Sequence, residues 1–226
     1  MIVSIHQPNY IPWVGFFNKI LSSDVYVVFD DVQFPRGKDY ANRNQIKTNN
    51  GKKWLTVPVN GKSQLRPWNE IEINNNDWVE QHLSLLESFY RKSEYFATYY
   101  PTLKEIYHRG HIKLIDLNLD LIKYILKALG KDIDIVMSSD IKTDKQGLDK
   151  ILHILKELNA TTYISGSGEG SKRYINESLF EKNSIKLIWQ KFGQLEYKQQ
   201  FGEFVPYMTI LDLLFNHGPD SKKYIL

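Results

Sequence analysis

Ile2-Val-Ser-Ile-His6-Gln-Pro8, then Trp13-Val-Gly-Phe-Phe-Asn-Lys-Ile-Leu21, then Val25-Tyr-Val-Val-Phe29-Asp-Asp31, decides the fold. The first run alternates weakly and stops at His6-Gln7-Pro8, as a short strand entering a turn does. Pro12 suits a first helical turn, where its missing N–H costs nothing. Trp13, Val14, Phe16, Phe17, Ile20 and Leu21 then recur at helical spacing as far as Ser22-Ser23. Residues 25–29 are a compact β-branched and aromatic run, the mark of a buried strand, closed by Asp30-Asp31. Strand, helix and strand within about 30 residues make a βαβ unit with an expected right-handed crossover.

Beyond it the character changes. Lys, Arg, Asn and Gly accumulate over residues 32–76, with short strand candidates at 44–47, 54–59 and 70–73. Asn49-Asn50-Gly51 is a hairpin turn, so this stretch reads as an antiparallel β insertion. A helical segment follows over residues 77–130. Asp77 is expected to cap its first helix, Pro101 to open the second, and Gly130 to end the third, which begins near Leu114. Then α/β order returns. Strands are predicted at 133–137, 161–164 and 185–189, and helices at 148–158, 174–181 and 209–215. The expectation is one α/β domain over residues 1–226, a mostly parallel sheet with helices on both faces.

Composition narrows the function classes. A chain of 226 residues buries about 70–75% of its unfolded surface and needs no metal or disulfide staple. The absence of cysteine excludes a disulfide framework, a thiolate nucleophile and Cys-based zinc sites. A net charge of +3, with both signs mixed, does not make a nucleic-acid face. No stretch approaches the roughly 20 apolar residues that span a bilayer, and the first residues lack a basic signal-peptide start. The expected location is the cytoplasm. The 14 tyrosines and 5 tryptophans suit cavities for polar, sugar-like ligands, and equally fill cores.

Open parallel sheets bind ligands beyond the carboxyl ends of their strands. That rule draws His6-Gln7-Pro8, Asp30-Asp31, Ser138-Ser139-Asp140 and the loop Ser165-Gly-Ser-Gly-Glu-Gly170 to one rim. His6 is the leading catalytic candidate, since imidazole serves as acid, base or donor near neutrality. Asp30 and Asp31 either orient that base, hold Mg²⁺ with substrate phosphates, or merely cap a turn. Ser165 and Gly166 open a loop able to present N–H groups to an anion. A helix terminus supplies only about 0.3–1 kcal/mol, up to ~2 when sheltered, whereas micromolar binding needs about 8. Lys172 and Arg173 are therefore the expected charged partners, although the glycines also serve plain turn geometry. Arg43, Asn44 and Lys47 form a cationic cluster that clamps a phosphate or carboxylate, or is simply solvated. His82, His108 and His111 read as surface or structural, and no metal site is read.

The blocks also carry a resemblance. His6-Gln-Pro-Asn-Tyr-Ile-Pro-Trp-Val-Gly15 resembles the amino-terminal signature of the WbqC-like protein family. Phe29-Asp-Asp-Val-Gln33, Asn42-Arg-Asn-x-Ile-Lys47, Trp54-Leu-Thr-Val-Pro58, Tyr163-Ile-Ser-Gly166 and Tyr207-Met-Thr-Ile-Leu-Asp-Leu-Leu-Phe-Asn216 resemble its later blocks. One departure is the stretched Ser165-Gly-Ser-Gly-Glu-Gly-Ser171. The resemblance implies a biosynthetic role in surface-polysaccharide (O-antigen-like) or specialised-metabolite assembly. An acyl or aminoacyl transferase acting on an amino sugar or carrier-bound substrate suits both settings; an alternative is a non-catalytic binding protein of a glycan biosynthesis complex. Gln7, Tyr10 and Trp13 of the signature join the substrate- or phosphate-binding candidates. The expected partners are a small-molecule or carrier-linked substrate and a second copy of the chain, without nucleic acid. In architecture the chain is also similar to nucleotidyltransferases and adenylate-forming enzymes with an H-x-G-H motif, which implies ATP or a nucleotide-linked donor with Mg²⁺. This chain lacks their second histidine.

Overall fold

The computed structural model describes residues 1–37, 39–60, 65–75 and 77–226. Five parallel strands form the sheet: β1 (Ile2–His6), β2 (Val25–Val28), β5 (Asp134–Met137), β6 (Thr162–Ser165) and β7 (Lys186–Trp189), in the order β5-β2-β1-β6-β7. Between β2 and β5 lies a two-stranded antiparallel hairpin, β3 (Arg43–Thr48) and β4 (Gly51–Thr56). It turns at Asn49-Asn50, with Gly51 at φ +98°. The fold is therefore α/β, as the alternating strands and helices predict.

Side-chain alternation along the central strands divides two apolar layers. Val3, Ile5, Val25 and Val27 face one layer, built from α5 (Gly147–Glu157) and α7 (Glu177–Lys182). Tyr26 and Val28 face the other. There they meet α1 (Val14–Leu21), α8 (Ile210–His217) and the helices α2 (Asp77–Tyr90), α3 (Phe96–Tyr107) and α4 (Leu114–Ala128). The residues inserted between β2 and β5 thus thicken one face of the sheet.

Several expectations change in detail. Residues 70–73 form a 3₁₀ turn (Trp68–Glu70) and isolated bridges, Val59 to Ile73 and Glu72 to Lys113, instead of a strand. Asp77 lies within the first turn of α2, so its carboxylate does not cap it. Pro101 sits inside α3, which starts five residues earlier at Phe96; an exposed proline there forgoes one hydrogen bond without ending the helix. The helix expected over 174–181 is instead two short ones, α6 (Glu169–Tyr174) and α7, broken at Ile175, whose backbone is extended. The expected insertion 32–76 also includes residues 38, 61–64 and 76, which lie outside the described residues.

Strand order fixes where a ligand can sit. From β1 the chain winds outward through α1 to β2 and β5, then returns past β1 to β6 and β7. The winding reverses between β1 and β6. At such a reversal, connections leave in opposite directions and open a crevice at the strands' carboxyl ends. Ser4 pairs with Ile164, so the register carried two residues on sets His6 level with Gly166.

Candidate functional site

A cavity of about 260 Å³ occupies that crevice, lined by His6, Trp13, Lys19, the loop at Gly166, Ser167, Gly168 and Ser171, and Gln190 with Phe192. A wider chamber of about 590 Å³ adjoins it, sharing Ser167, Gln190 and Phe192 and adding Lys172, Lys191 and Trp189. A further depression lined by Lys123, Lys127 and Lys131 lies at the amino-terminal end of β5, away from this rim.

His6 ends β1 on the same face as Ser4, where its ring meets Phe16 edge-on at 5.0 Å. Its Nδ1 is 2.8 Å from the Gln7 carbonyl oxygen. A carbonyl only accepts, so Nδ1 carries the proton and a neutral ring keeps its lone pair on Nε2. Burial, with the positive charge of Lys19 next and the Gln7 hydrogen bond opposing, lowers its pKa from 6.5 to about 3. At neutral pH this imidazole accepts and does not donate through Nε2.

Lys19 is the unexpected member. It is 3% exposed, and Nζ donates to the Ile5 carbonyl at 3.1 Å. Burial lowers its pKa from 10.5 to about 7. Among the described residues no carboxylate lies within ion-pair distance of it. Trp13 forms another wall, its ring set edge-on to Phe192 at 5.6 Å and Tyr207 at 5.4 Å. Gly15 makes room for the indole: a Cβ there would stand 2.3 Å from a Trp13 ring carbon.

Of the loop candidates, Gly166 lines the inner cavity and Lys172 the outer chamber. Ser165 is buried, its hydroxyl turned to the Gly166 carbonyl at 3.3 Å. Arg173 is exposed and lines neither space. Because α6 begins at Glu169, both cations fall in its last turn, not at a helix start.

Asp30 and Asp31 do not reach the cavity. Asp30 accepts from the Ser138 hydroxyl at 2.9 Å, the Ser139 N–H at 2.9 Å and the Ser139 hydroxyl at 2.7 Å. Asp31 is ion-paired with Lys150 of α5. One strand away from the reversal, these carboxylates tie the ends of β2 and β5 together.

The remaining candidates hold the loop between β1 and α1 or the layer behind it. Gln7 contributes its backbone carbonyl. Tyr10 is fully buried, its hydroxyl bonded to His82 Nδ1 at 2.9 Å and to Tyr107; burial raises its pKa well above 10. Ile11, a β-branched residue at φ +32°, is a strained point. Asn44 Nδ2 at 2.7 Å and the Thr209 hydroxyl at 2.8 Å both donate to its carbonyl. Arg43 lies 4.1 Å over the Trp54 ring and donates through Nε to the Asp39 carbonyl at 3.1 Å. Lys47 is buried and donates to the Glu203 carbonyl; burial lowers its pKa against the pull of Asp212 and Glu203. Arg43, Asn44 and Lys47 therefore build the scaffold and line neither space.

The sequence model of the WbqC-like protein family matches residues 7–224, from the residue after His6 almost to the end. This chain belongs to the WbqC-like family. A similar member is an uncharacterized protein of Mycobacterium tuberculosis, Rv1507c, 35% identical over 226 residues, covering 99% of this chain and 96% of the relative. No solved structure matches the chain. Among the described residues no helix is long and apolar enough to cross a membrane, and no three His, Asp or Glu side chains gather as a metal site.

Sequence reasoning missed Lys19, Gln190 and Phe192. A signal for Lys19 existed: every other α1 residue except Asn18 is buried, so a lysine in so apolar a helix has no wet face to reach. Gln190 follows β7 and donates through Nε2 to the Gly15 carbonyl and Asn18 Oδ1, each at 2.7 Å. It tethers the β7 end to α1, a contact that only the strand order reveals.

Proposed function

We propose that this WbqC-like protein is a biosynthetic transferase that moves an acyl or aminoacyl group onto the amine of an amino sugar or carrier-bound acceptor. The observation that carries the reading is the neutral His6 with its Nδ1–H held by the Gln7 carbonyl. That arrangement leaves an acceptor nitrogen in a cavity whose other walls are aromatic on one side and hydroxyl- and N–H-rich on the other. Trp13 and Phe192 offer flat apolar faces of the kind that sugar rings pack against.

In the transfer, the acceptor amine attacks the acyl carbonyl carbon, and a C–N bond forms as the carbonyl electrons move to oxygen. His6 Nε2 takes the proton that the amine sheds. The electrons then return, the C–O or C–S bond to the donor breaks, and the leaving group receives that proton from His6.

The adenylating alternative asks His6 to donate to triphosphate oxygens. A ring whose only N–H is committed to a backbone carbonyl is poorly suited to that role.

The test is mass spectrometry of surface glycans and amino-sugar metabolites from cells carrying His6→Ala at wild-type protein levels. The expected result is loss of one acyl or aminoacyl mass from an amino-sugar-containing product. An unchanged product profile contradicts the reading.

A further inference from the structure

Lys19 poses a question the transfer scheme leaves open. A buried ammonium is costly unless a counter-charge compensates it. Among the described residues its one hydrogen bond runs to a neutral backbone carbonyl, and none that lines the inner cavity is Asp or Glu. The space beside it is ringed by further donors: the hydroxyls of Ser167 and Ser171 and the backbone of Gly166 and Gly168. Lys172 and Lys191 follow in the outer chamber, where the single carboxylate, Glu177, is engaged by the Trp189 indole N–H at 2.7 Å.

We infer that the inner cavity is a phosphoryl-binding site, with Lys19 as the buried counter-charge and residues 166–171 as the oxygen cradle. The outer chamber then receives the remainder of a phosphate-bearing substrate. This rests on the transferase reading for its catalytic meaning, but the site stands on its own geometry. Volumes agree with the division. Small-molecule pockets span roughly 300–1,000 Å³, so the 260 Å³ inner cavity suits a compact group and the 590 Å³ chamber a ring system. Trp189, Phe192 and Ile175 give that chamber an apolar side.

The arrangement also links binding to chemistry. Burial holds His6 neutral, and the charge of Lys19 adds to it. An anion seated on Lys19 cancels that influence and makes Nε2 a stronger base.

Calorimetry with inorganic pyrophosphate tests the inference on the unmodified chain, Lys19→Met and the pair Ser167→Ala/Ser171→Ala. Pyrophosphate is expected to bind the wild type. Lys19→Met should weaken it by roughly tenfold or more, about 1.4 kcal/mol, and the serine pair, which keeps the apolar core intact, should weaken it too. Pyrophosphate affinity is read without turnover, so a failed His6 assay in cells and a failed anion site are separately visible. Undetectable binding to the wild type at about 10 mM, near −2.7 kcal/mol, overturns the site. So does wild-type affinity in both a folded Lys19→Met and the serine pair. Uridine diphosphate and phosphopantetheine, titrated in parallel, identify the source of the phosphate by which binds more tightly than pyrophosphate.

Discussion

Nδ1 of His6 lies 2.8 Å from the carbonyl oxygen of Gln7, the residue directly after it, and that contact decides which ring nitrogen is left for chemistry. The strand's last side chain is oriented by the first peptide of the turn that follows. Its consequence extends to stability. The folded state keeps the ring neutral down to about 3, whereas the unfolded chain takes up a proton near 6.5. Between those limits the unfolded state binds more protons, so acid favours unfolding. His82, lowered to about 4 by burial, acts in the same direction. The contribution of these two rings is expected to be full above about pH 6.5 and to fall steadily toward pH 3, while Lys19, lowered to about 7, adds a separate rise in stability between about pH 7 and 10.5. Urea titrations should show a shallower fall for His6→Gln; an identical slope contradicts the buried neutral ring.

Gly15→Ala has a sign that reports on Trp13. Alanine is better than glycine in a helix by about 1 kcal/mol, so a freely moving indole would let the substitution stabilise the protein. The ring is instead held against Phe192 and Tyr207, and a Cβ would stand 2.3 Å from it. The expected outcome is a loss of about 1–3 kcal/mol, read by thermal unfolding, with altered tryptophan near-ultraviolet dichroism.

Asn44→Ala removes a donor from the Ile11 carbonyl at the strained point of the loop between β1 and α1. A loss of about 1–3 kcal/mol is expected, measured by chemical denaturation. A change below about 0.5 kcal/mol would mean that the Thr209 hydroxyl alone suffices.

Asp30→Ala separates scaffold from site. Asp30 is 2% exposed and satisfied by Ser138 and Ser139, so its loss should cost about 1.5–3 kcal/mol. Pyrophosphate affinity should remain that of the wild type at a temperature where the variant stays folded. Abolished binding in the folded variant would return Asp30 to the site.

The sheet was legible because its strands are short apolar runs closed by turn residues, and α1 because Val14, Phe17 and Leu21 recur at helical spacing. Strand order was not legible, since pairing depends on which edges meet in space. That is why Asp30 and Asp31 looked equivalent to His6: all three lie at or just past a strand's carboxyl end, but β1 borders the winding reversal and β2 does not. Asn44 and Lys47 looked like free polar groups from their neighbours in sequence. Their partners, Ile11 and Glu203, lie 33 and 156 residues away. Lys19 was hidden by the opposite effect, a charge within an apolar pattern that periodicity treats as an interruption.

The most direct measurement is the imidazole ¹⁵N spectrum of His6 at pH 6, recorded with and without pyrophosphate in the wild type and Lys19→Met. A neutral ring protonated on Nδ1, with an Nε2 resonance that shifts on adding pyrophosphate to the wild type alone, is the expected result. An imidazolium at that pH, or a proton on Nε2 in the free protein, would contradict the proposed base.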